Sequence, residues 1–223
     1  MMEEFEKKIT ESVHRIMESI PPKVTLVAAV KGRSVAEVRA AIEAGIIHVG
    51  HNYIQEAELM IDLMQDSAKW HMIGHLQRNK AKKAALLFDM VETVDSWRLA
   101  RELDKLCVRM KKTMPILIEV NSGREASKTG VMPEDVEGLV LRMRELENLR
   151  IQGLMTMGPR FGDPENARPF FQETRKTFDR LARMDLPHVS MDYLSMGMTN
   201  SYVVAIEEGA NVVRIGTKIF GQR

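Results

Sequence analysis

The sequence has little cysteine, little net charge and no long apolar run, and each shortage excludes a class of protein. Cys107 is the only cysteine in 223 residues, so an internal disulfide framework is excluded and we expect a reducing compartment, the cytoplasm. Lys and Arg number 32 against 31 Asp and Glu, and no dense basic run carries interleaved aromatics, so we expect no nucleic-acid partner. Without a membrane-length apolar run, and with the charged start "MMEEFEKKIT", we expect neither membrane span nor signal peptide.

What the sequence does have is a repeated unit of short apolar segment, loop and amphipathic helix. The segments are apolar at successive positions, which is typical of strands buried on both faces of a parallel sheet. Eight such units predict a single (β/α)₈ barrel of the TIM type over residues 1–223, with an extra N-terminal helix. A doubly wound sheet is the alternative, but no G-x-G-x-x-G follows the first strand. Strands are predicted at 24–31, 46–50, 70–74, 88–94, 115–121, 150–157, 192–196 and 211–216.

In a barrel of this kind the functional residues lie where strands end and the next loops begin. The first strand ends at Lys31, and burial there is expected to lower the pKa of its ammonium group. A neutral lysine amine forms Schiff bases with aldehydes and ketones, whereas a lysine that extends to solvent is the structural alternative. The other residues that we place at strand ends are His51, Asn52, His75, Asp95, Ser96, Asn121, Ser122, Met155, Thr156, Met157, Ser195, Met196, Gly197, Arg214, Gly216 and Thr217.

The last two strands are followed by glycine-containing loops, around Gly197 and Gly216. We expect a helix to begin at 199 or 200. Backbone N–H groups at a helix start and in such loops bind anions, and phosphate sites of barrels commonly use the loops after strands seven and eight. Ordinary capping and tight turns are the alternative. The hydroxyl donors available here are Ser195, Thr199 and Thr217.

An amine on strand one beside a phosphate site on strands seven and eight fits an aldehyde that carries a phosphate. Pyridoxal 5′-phosphate is the first choice, held as an imine on Lys31. The guanidinium of Arg214 would face the pyridine nitrogen, keep it unprotonated and weaken the ring as an electron sink. A barrel enzyme that uses Lys31 as a Schiff base with a phosphorylated carbonyl substrate is an alternative.

Seven segments, in order, carry a resemblance that covers nearly the whole chain. The chain resembles the pyridoxal phosphate homeostasis proteins, which are similar to the barrel domain of fold-type III alanine racemases. The family usually has a glutamate where His51 stands, and Val30 and Gly32 also differ from the usual neighbours of the lysine. The segments are "LVAAVK", "GHNYIQE", "WHMIGHLQRNK", "VNSGREASKTG" (120–130), "GLMTM", "LSMGMT" and "VVRIGTKIFG".

The resemblance implies a role for several of these residues. Lys31 forms the imine with the cofactor, Arg214 lies near the pyridine nitrogen, and Asn52 and Met155 line the pocket. We add His75, which follows the third strand, and Thr199, one of the hydroxyl donors after the seventh strand, to the cofactor-binding set. Phosphate contacts are implied for Ser195, Met196, Gly197, Gly216 and Thr217.

We expect a carrier of the cofactor more than an enzyme. Racemisation by two bases needs an acid or base on each face of the substrate carbon, and alanine racemases take the second from a further domain that we do not expect here. His51, His75 or Tyr53 would have to replace it, which leaves a low-efficiency amino-acid racemase as the alternative. We expect no metal, and as partners the cofactor and apo-enzymes that receive it, with the protein a monomer or weak dimer.

Overall fold

The strands of the computed structural model form one closed barrel. All neighbouring strands are parallel and follow one another in sequence order, with β8 pairing β1 to close the barrel, which confirms the predicted fold. The structure describes residues 3–125, 128–159 and 162–222, so 126–127 of the motif at 120–130 and the ends of the range 1–223 lie outside the described residues. The strands are β1 Thr25–Ala29, β2 His48–His51, β3 Lys69–Met72, β4 Met90–Val94, β5 Met114–Val120, β6 Leu149–Thr156, β7 Val189–Ser195 and β8 Val212–Ile215.

Helices surround the barrel. Short 3₁₀ turns at Gln65–Ser67, Arg78–Lys80 and Pro164–Ala167 complete the connections. No helix in the described ranges is long and apolar enough to cross a membrane. The helices are α1 Glu4–Ser19, α2 Val35–Glu43, α3 Ile54–Met64, α4 Ala81–Leu87, α5 Trp97–Met110, α6 Val136–Met143, α7 Arg168–Ala182, α8 Tyr202–Glu207 and α9 Thr217–Phe220.

The helix predicted to begin near 199 or 200, after β7, is present but begins slightly later. Helix α8 begins at Tyr202, because Met198 and Ser201 first close a turn. The Met198 N–H donates to the Ser201 hydroxyl at 3.4 Å, and the Ser201 N–H donates to the Met198 carbonyl at 2.9 Å. The residues between Gly197 and Tyr202 are therefore a loop.

Side-chain alternation decides which residues enter the barrel. Leu26, Ala28 and Val30 pack outward against the helices, while Val27 and Ala29 belong to a separate cluster inside the barrel. Successive side chains of a strand point to opposite faces. Lys31 is the next position after Ala29 in this inward-facing series.

Candidate functional site

Lys31 lies just beyond β1, half-buried at the carboxyl end of the barrel. Gly32 turns the chain with a φ of +65°, and its N–H donates to a carboxylate oxygen of Glu56 at 3.0 Å. Ser34 then caps α2 and forms a capping box with Glu37. These contacts hold the backbone on the carboxyl side of Lys31 in one conformation.

The loops after β1 and β8 are joined. The register pairs Ala28 with Ile215, so the residues that follow the two strands are neighbours. Arg33 donates to the carbonyl oxygen of Phe220 at 3.1 Å and also to that of Gly221. The amine-bearing loop is thereby tied to the end of α9.

Gly216 and Thr199 bring the loops after β7 and β8 together. The Gly216 N–H points at the Thr199 hydroxyl oxygen, 3.4 Å away. A Cβ at Gly216 would lie 2.9 Å from the carbonyl oxygen of Ala29, so a side chain would push β8 away from β1. Thr217, the first residue of α9, is exposed beside them. Backbone N–H groups and hydroxyls thus converge one strand from Lys31.

The loop after β7 is fixed at Gly197. Its φ is +88°, and a Cβ there would lie 2.6 Å from the side chain of Ala205, which explains the glycine. Its carbonyl oxygen accepts a hydrogen bond from the backbone N–H of Arg214 at 3.1 Å. The neighbouring Met196 donates its N–H to Val212 and packs its side chain outward. Any phosphate contact near Met196 must therefore come from later residues of the loop.

Arg214 reaches into the barrel and binds groups from β6 and β7. Its guanidinium donates to the Ser195 hydroxyl at 2.5 Å and to the Thr156 carbonyl at 2.8 Å. The Ser195 hydroxyl donates in turn to Glu92 on β4 at 2.6 Å. A carboxylate oxygen of Glu92 lies 3.9 Å from the guanidinium. These contacts cross the barrel interior, because β4 and β8 are on opposite sides.

The other oxygen of Glu92 faces His71. That oxygen, Oε1, lies 2.7 Å from Nδ1 of His71. Nε2 of the same histidine lies 3.0 Å from Nδ1 of His48. Burial would raise the pKa of Glu92, but hydrogen bonds and charges from His71, Ser195 and Arg214 outweigh it and lower that pKa. Burial, together with the charge of His71, lowers the pKa of His48 to about 4.

Glu119, on β5 opposite Lys31, is the second buried glutamate of the interior. One carboxyl oxygen accepts from the Thr129 hydroxyl at 2.9 Å, and the other has no hydrogen-bond partner within the described part of the chain. Burial raises the pKa of Glu119 to about 7, and the charge of Asp95 adds to this, while Thr129 and Arg214 oppose it.

The loops after β2 and β3 form a cleft of about 320 Å³ beside the mouth of the barrel, with Asn52, His75 and Lys80 among its walls. Nδ1 of exposed His75 lies 3.7 Å from a carboxylate oxygen of Asp95. The Tyr53 ring lies at the edge, with its centroid 4.9 Å from Nζ of Lys31. Of the predicted pocket residues, Asn52 and His75 thus lie on this side of the mouth.

His51 is not at the mouth, and its predicted place among the strand-end polar groups is wrong. It is fully buried, with its ring centroid 5.7 Å from that of Trp70 and 6.3 Å from that of Phe88, in the layer between strands and helices. Gly50 and His48 occupy the inward positions of β2, so alternation directs His51 outward. Burial lowers its pKa to about 4. It cannot act as a base on a ligand in the mouth.

The sequence reasoning missed Glu92 and Glu119. Both lie in segments predicted as strands and composed mainly of apolar residues, "FDMVETV" and "PILIEVN". A carboxylate at an inward position of such a strand is the signal that was available, because a buried charge needs partners.

The closed barrel, the half-buried Lys31 and the adjoining loops after β7 and β8 indicate the class of protein. The family model described as alanine racemase, N-terminal domain, matches residues 6–223. The pyridoxal phosphate homeostasis protein of Aquifex aeolicus is 38% identical over 187 residues, 83% of this chain and 81% of the relative. That of Pasteurella multocida is 34% identical over 215 residues, 94% and 92% of the two chains. The chain belongs to the pyridoxal phosphate homeostasis family within the alanine-racemase-type barrels, as the sequence resemblance predicted.

Solved structures agree with this membership. PipY of Synechococcus elongatus, without pyridoxal phosphate, superposes with a TM-score of 0.89 at 32% identity, covering 96% of this chain and 100% of PipY. PipY with pyridoxal phosphate bound gives 0.87 at 31% identity, with the same coverage. An alanine racemase of Clostridium difficile gives 0.79 at 12% identity, covering 97% of this chain and 56% of the racemase, which supports the fold alone.

Proposed function

We propose that this protein binds pyridoxal 5′-phosphate in the mouth of the barrel through a covalent bond to Lys31 and serves the intracellular homeostasis of that cofactor. The observation that carries the proposal is the half-buried Lys31 just beyond β1, next to the end of the paired strand β8, where Gly216 and Thr199 meet. The names of the relatives and the PipY structure with pyridoxal phosphate bound support the same ligand.

The residues present fit both ends of the cofactor. The N–H groups and hydroxyls around Gly197, Thr199, Gly216 and Thr217 are suited to a phosphate. Buried Met155, inside the barrel with Leu117, offers an apolar contact for a ring. The unpartnered oxygen of Glu119 within the described barrel interior is consistent with a polar ligand nearby.

Each residue then has a defined task. Bound pyridoxal phosphate supplies an aldehyde for an amine to attack and a ring that can take up electrons. Lys31 provides the amine, and the loops after β7 and β8 orient it by holding the phosphate. Arg214 keeps a permanent positive charge below the mouth. Asn52 and His75 close the side formed by the loops after β2 and β3.

Storage of the cofactor is favoured over racemisation by the surroundings of this site. Arg214 leaves the ring nitrogen unprotonated, whereas a carboxylate partner would stabilise the protonated ring nitrogen, which makes the ring a better acceptor of electrons. His51, one of the three candidates for a second base, is fully buried away from the mouth and cannot provide it. Delivery to apo-enzymes, a cytoplasmic location and a monomeric or weakly dimeric state complete the proposal.

The test is borohydride reduction of the protein with pyridoxal phosphate, followed by peptide mass mapping. We expect one phosphopyridoxyl adduct, on Lys31, that is lost in Lys31→Ala and retained in Lys80→Ala, a matched control because Lys80 lines the neighbouring cleft. Adducts scattered over surface lysines, or none, would contradict the proposal. Exchange of the α-proton of amino acids in deuterium oxide separates the alternatives, since a racemase exchanges it and a carrier does not.

A further inference from the structure

We propose that Glu92 is a positioning residue for the cofactor pocket: its carboxylate fixes Ser195 and Arg214 from across the barrel and so sets the charge that a bound ring experiences. This inference rests on the proposed function, because it concerns the same site. It assigns a task to a buried carboxylate on β4, a strand that contributes none of the predicted pocket residues.

The geometry allows Glu92 one arrangement. One oxygen accepts the proton of the Ser195 hydroxyl at 2.6 Å, and the other lies 2.7 Å from His71. A hydroxyl has one proton to give and lone pairs to accept with, so Ser195 donates to Glu92 while it accepts from Arg214. The direction of the hydrogen bonds along Arg214, Ser195 and Glu92 is therefore determined.

Arg214 depends on this arrangement. It is 4% exposed, and a guanidinium removed from water needs a compensating negative charge. Glu92 lies nearest, at 3.9 Å, and its low pKa keeps it ionised. Glu119, the other carboxylate that acts on Arg214, has a pKa of about 7 and is largely neutral below that pH.

The groups that face Glu92 come from three other strands. They are His71 of β3, Ser195 of β7 and Arg214 of β8, and His48 of β2 reaches it through His71. Removal of the Glu92 charge takes away the nearest carboxylate of Arg214, and Glu119, the other one, is largely neutral below about pH 7. A positively charged, protonated link between Lys31 and the cofactor is then disfavoured.

The experiment compares wild type, Glu92→Gln and Glu134→Gln, each loaded with pyridoxal phosphate, by visible absorbance as a function of pH. Glutamine keeps the size of Glu92 and removes its charge. We expect the midpoint of the absorbance change, which reports protonation of the link between Lys31 and the cofactor, to fall by about one pH unit in Glu92→Gln. The loss of a buried negative charge at short range destabilises the protonated form. Glu134, an exposed partner of Arg124, also loses one negative charge, and its variant should keep the wild-type midpoint.

A double-mutant cycle shows whether Glu92 acts through Arg214. In an Arg214→Gln background, Glu92→Gln should shift the midpoint by less than half as much as it does alone, since interacting residues are not additive. Equal shifts in both backgrounds, or an unchanged midpoint in Glu92→Gln, would overturn the inference.

Two further outcomes are possible: the wild-type protein gives no absorbance band, or Glu92→Gln does not fold. Failure of the wild-type protein to give the absorbance band contradicts the proposed function itself and is thereby distinguished from failure of this inference. If Glu92→Gln does not fold, Ser195→Ala replaces it, because it retains both charges and cuts the hydrogen-bonded link. A displaced midpoint in Ser195→Ala supports the positioning role, and a wild-type midpoint overturns it.

Discussion

Two glutamates face the inside of this barrel and are held in opposite ways. Glu92 has a partner for each carboxylate oxygen and stands near a guanidinium, and its pKa is lowered. Glu119 has one donor, Thr129, and burial raises its pKa to about 7. Both are almost wholly inaccessible to solvent. The partners supplied by other strands, more than burial, therefore decide whether an interior carboxylate is charged.

The two residues also make opposite contributions to stability as pH changes. The lowered pKa of Glu92 stabilises the fold above the unfolded value of 4.5, and this stabilisation is lost as pH falls through the folded pKa. The folded protein holds a proton on Glu119 that the unfolded chain has released between pH 4.5 and about 7. The free energy of unfolding therefore declines as pH rises through that range on account of Glu119.

The largest effect is expected when the well-paired glutamate is removed. Glu92→Leu leaves Arg214 buried without its nearest carboxylate, and breaking a buried ion pair in this way costs about 3–5 kcal/mol. Urea unfolding at neutral pH measures the loss. The double variant Glu92→Leu/Arg214→Met should recover most of it. A loss of less than about 1 kcal/mol in the free energy of unfolding would show that the ion pair does not contribute this much to stability.

The opposite sign is expected at Glu119. Glu119→Gln resembles the protonated side chain, so variant and wild type should unfold alike near pH 4. At pH 8 the variant should be more stable by on the order of 3 kcal/mol, since the wild-type carboxyl must ionise in a buried site. Urea unfolding at both pH values tests this. A difference that does not change with pH would contradict a raised pKa.

A smaller gain is expected at His51, which like Glu119 is buried without full pairing among the described residues. Its two ring nitrogens have no hydrogen-bond partner among the described residues, and such groups cost about 1–3 kcal/mol. His51→Leu should therefore raise the free energy of unfolding by roughly 1–2 kcal/mol at pH 7.5.

The pH dependence of that gain checks its origin. The unfolded histidine binds a proton below 6.5, while the folded one stays neutral to about 4. Wild-type stability is lost as pH falls through this range, so the advantage of His51→Leu should grow by about 2 kcal/mol between pH 8 and pH 5. Exposed His14 is the control, and His14→Leu should change little.

Much of the fold could be predicted from local patterns. Each of the predicted strands overlaps an observed one, because strands buried on both faces need continuous apolar residues. The capping box at Ser34 and Glu37 is a feature of the same local kind, since it depends on residues close in sequence. The first strand ended earlier than predicted, at Ala29, before the turn at Gly32.

The failures share a cause. The direction of His51 depends on the inward series of β2, which a four-residue strand does not reveal by itself. The late start of α8 follows from a turn between Met198 and Ser201. Neither the partners of Ser195 nor those of Arg214 adjoin them in sequence, so the orientation of the pocket groups was beyond local reasoning.

Local patterns were enough to predict the barrel and the placement of Lys31 and the glycine loops at strand ends, because strand periodicity and turn chemistry act over a few residues. The family followed from the resemblance of seven sequence segments. The charge states of Glu92 and Glu119 and the partners of the Ser195 hydroxyl depend on contacts between distant strands. Closure of the barrel places side chains from β4, β7 and β8 in one interior that is buried from solvent. In that interior the free energy of each ionisable group depends on partners that lie far away along the chain.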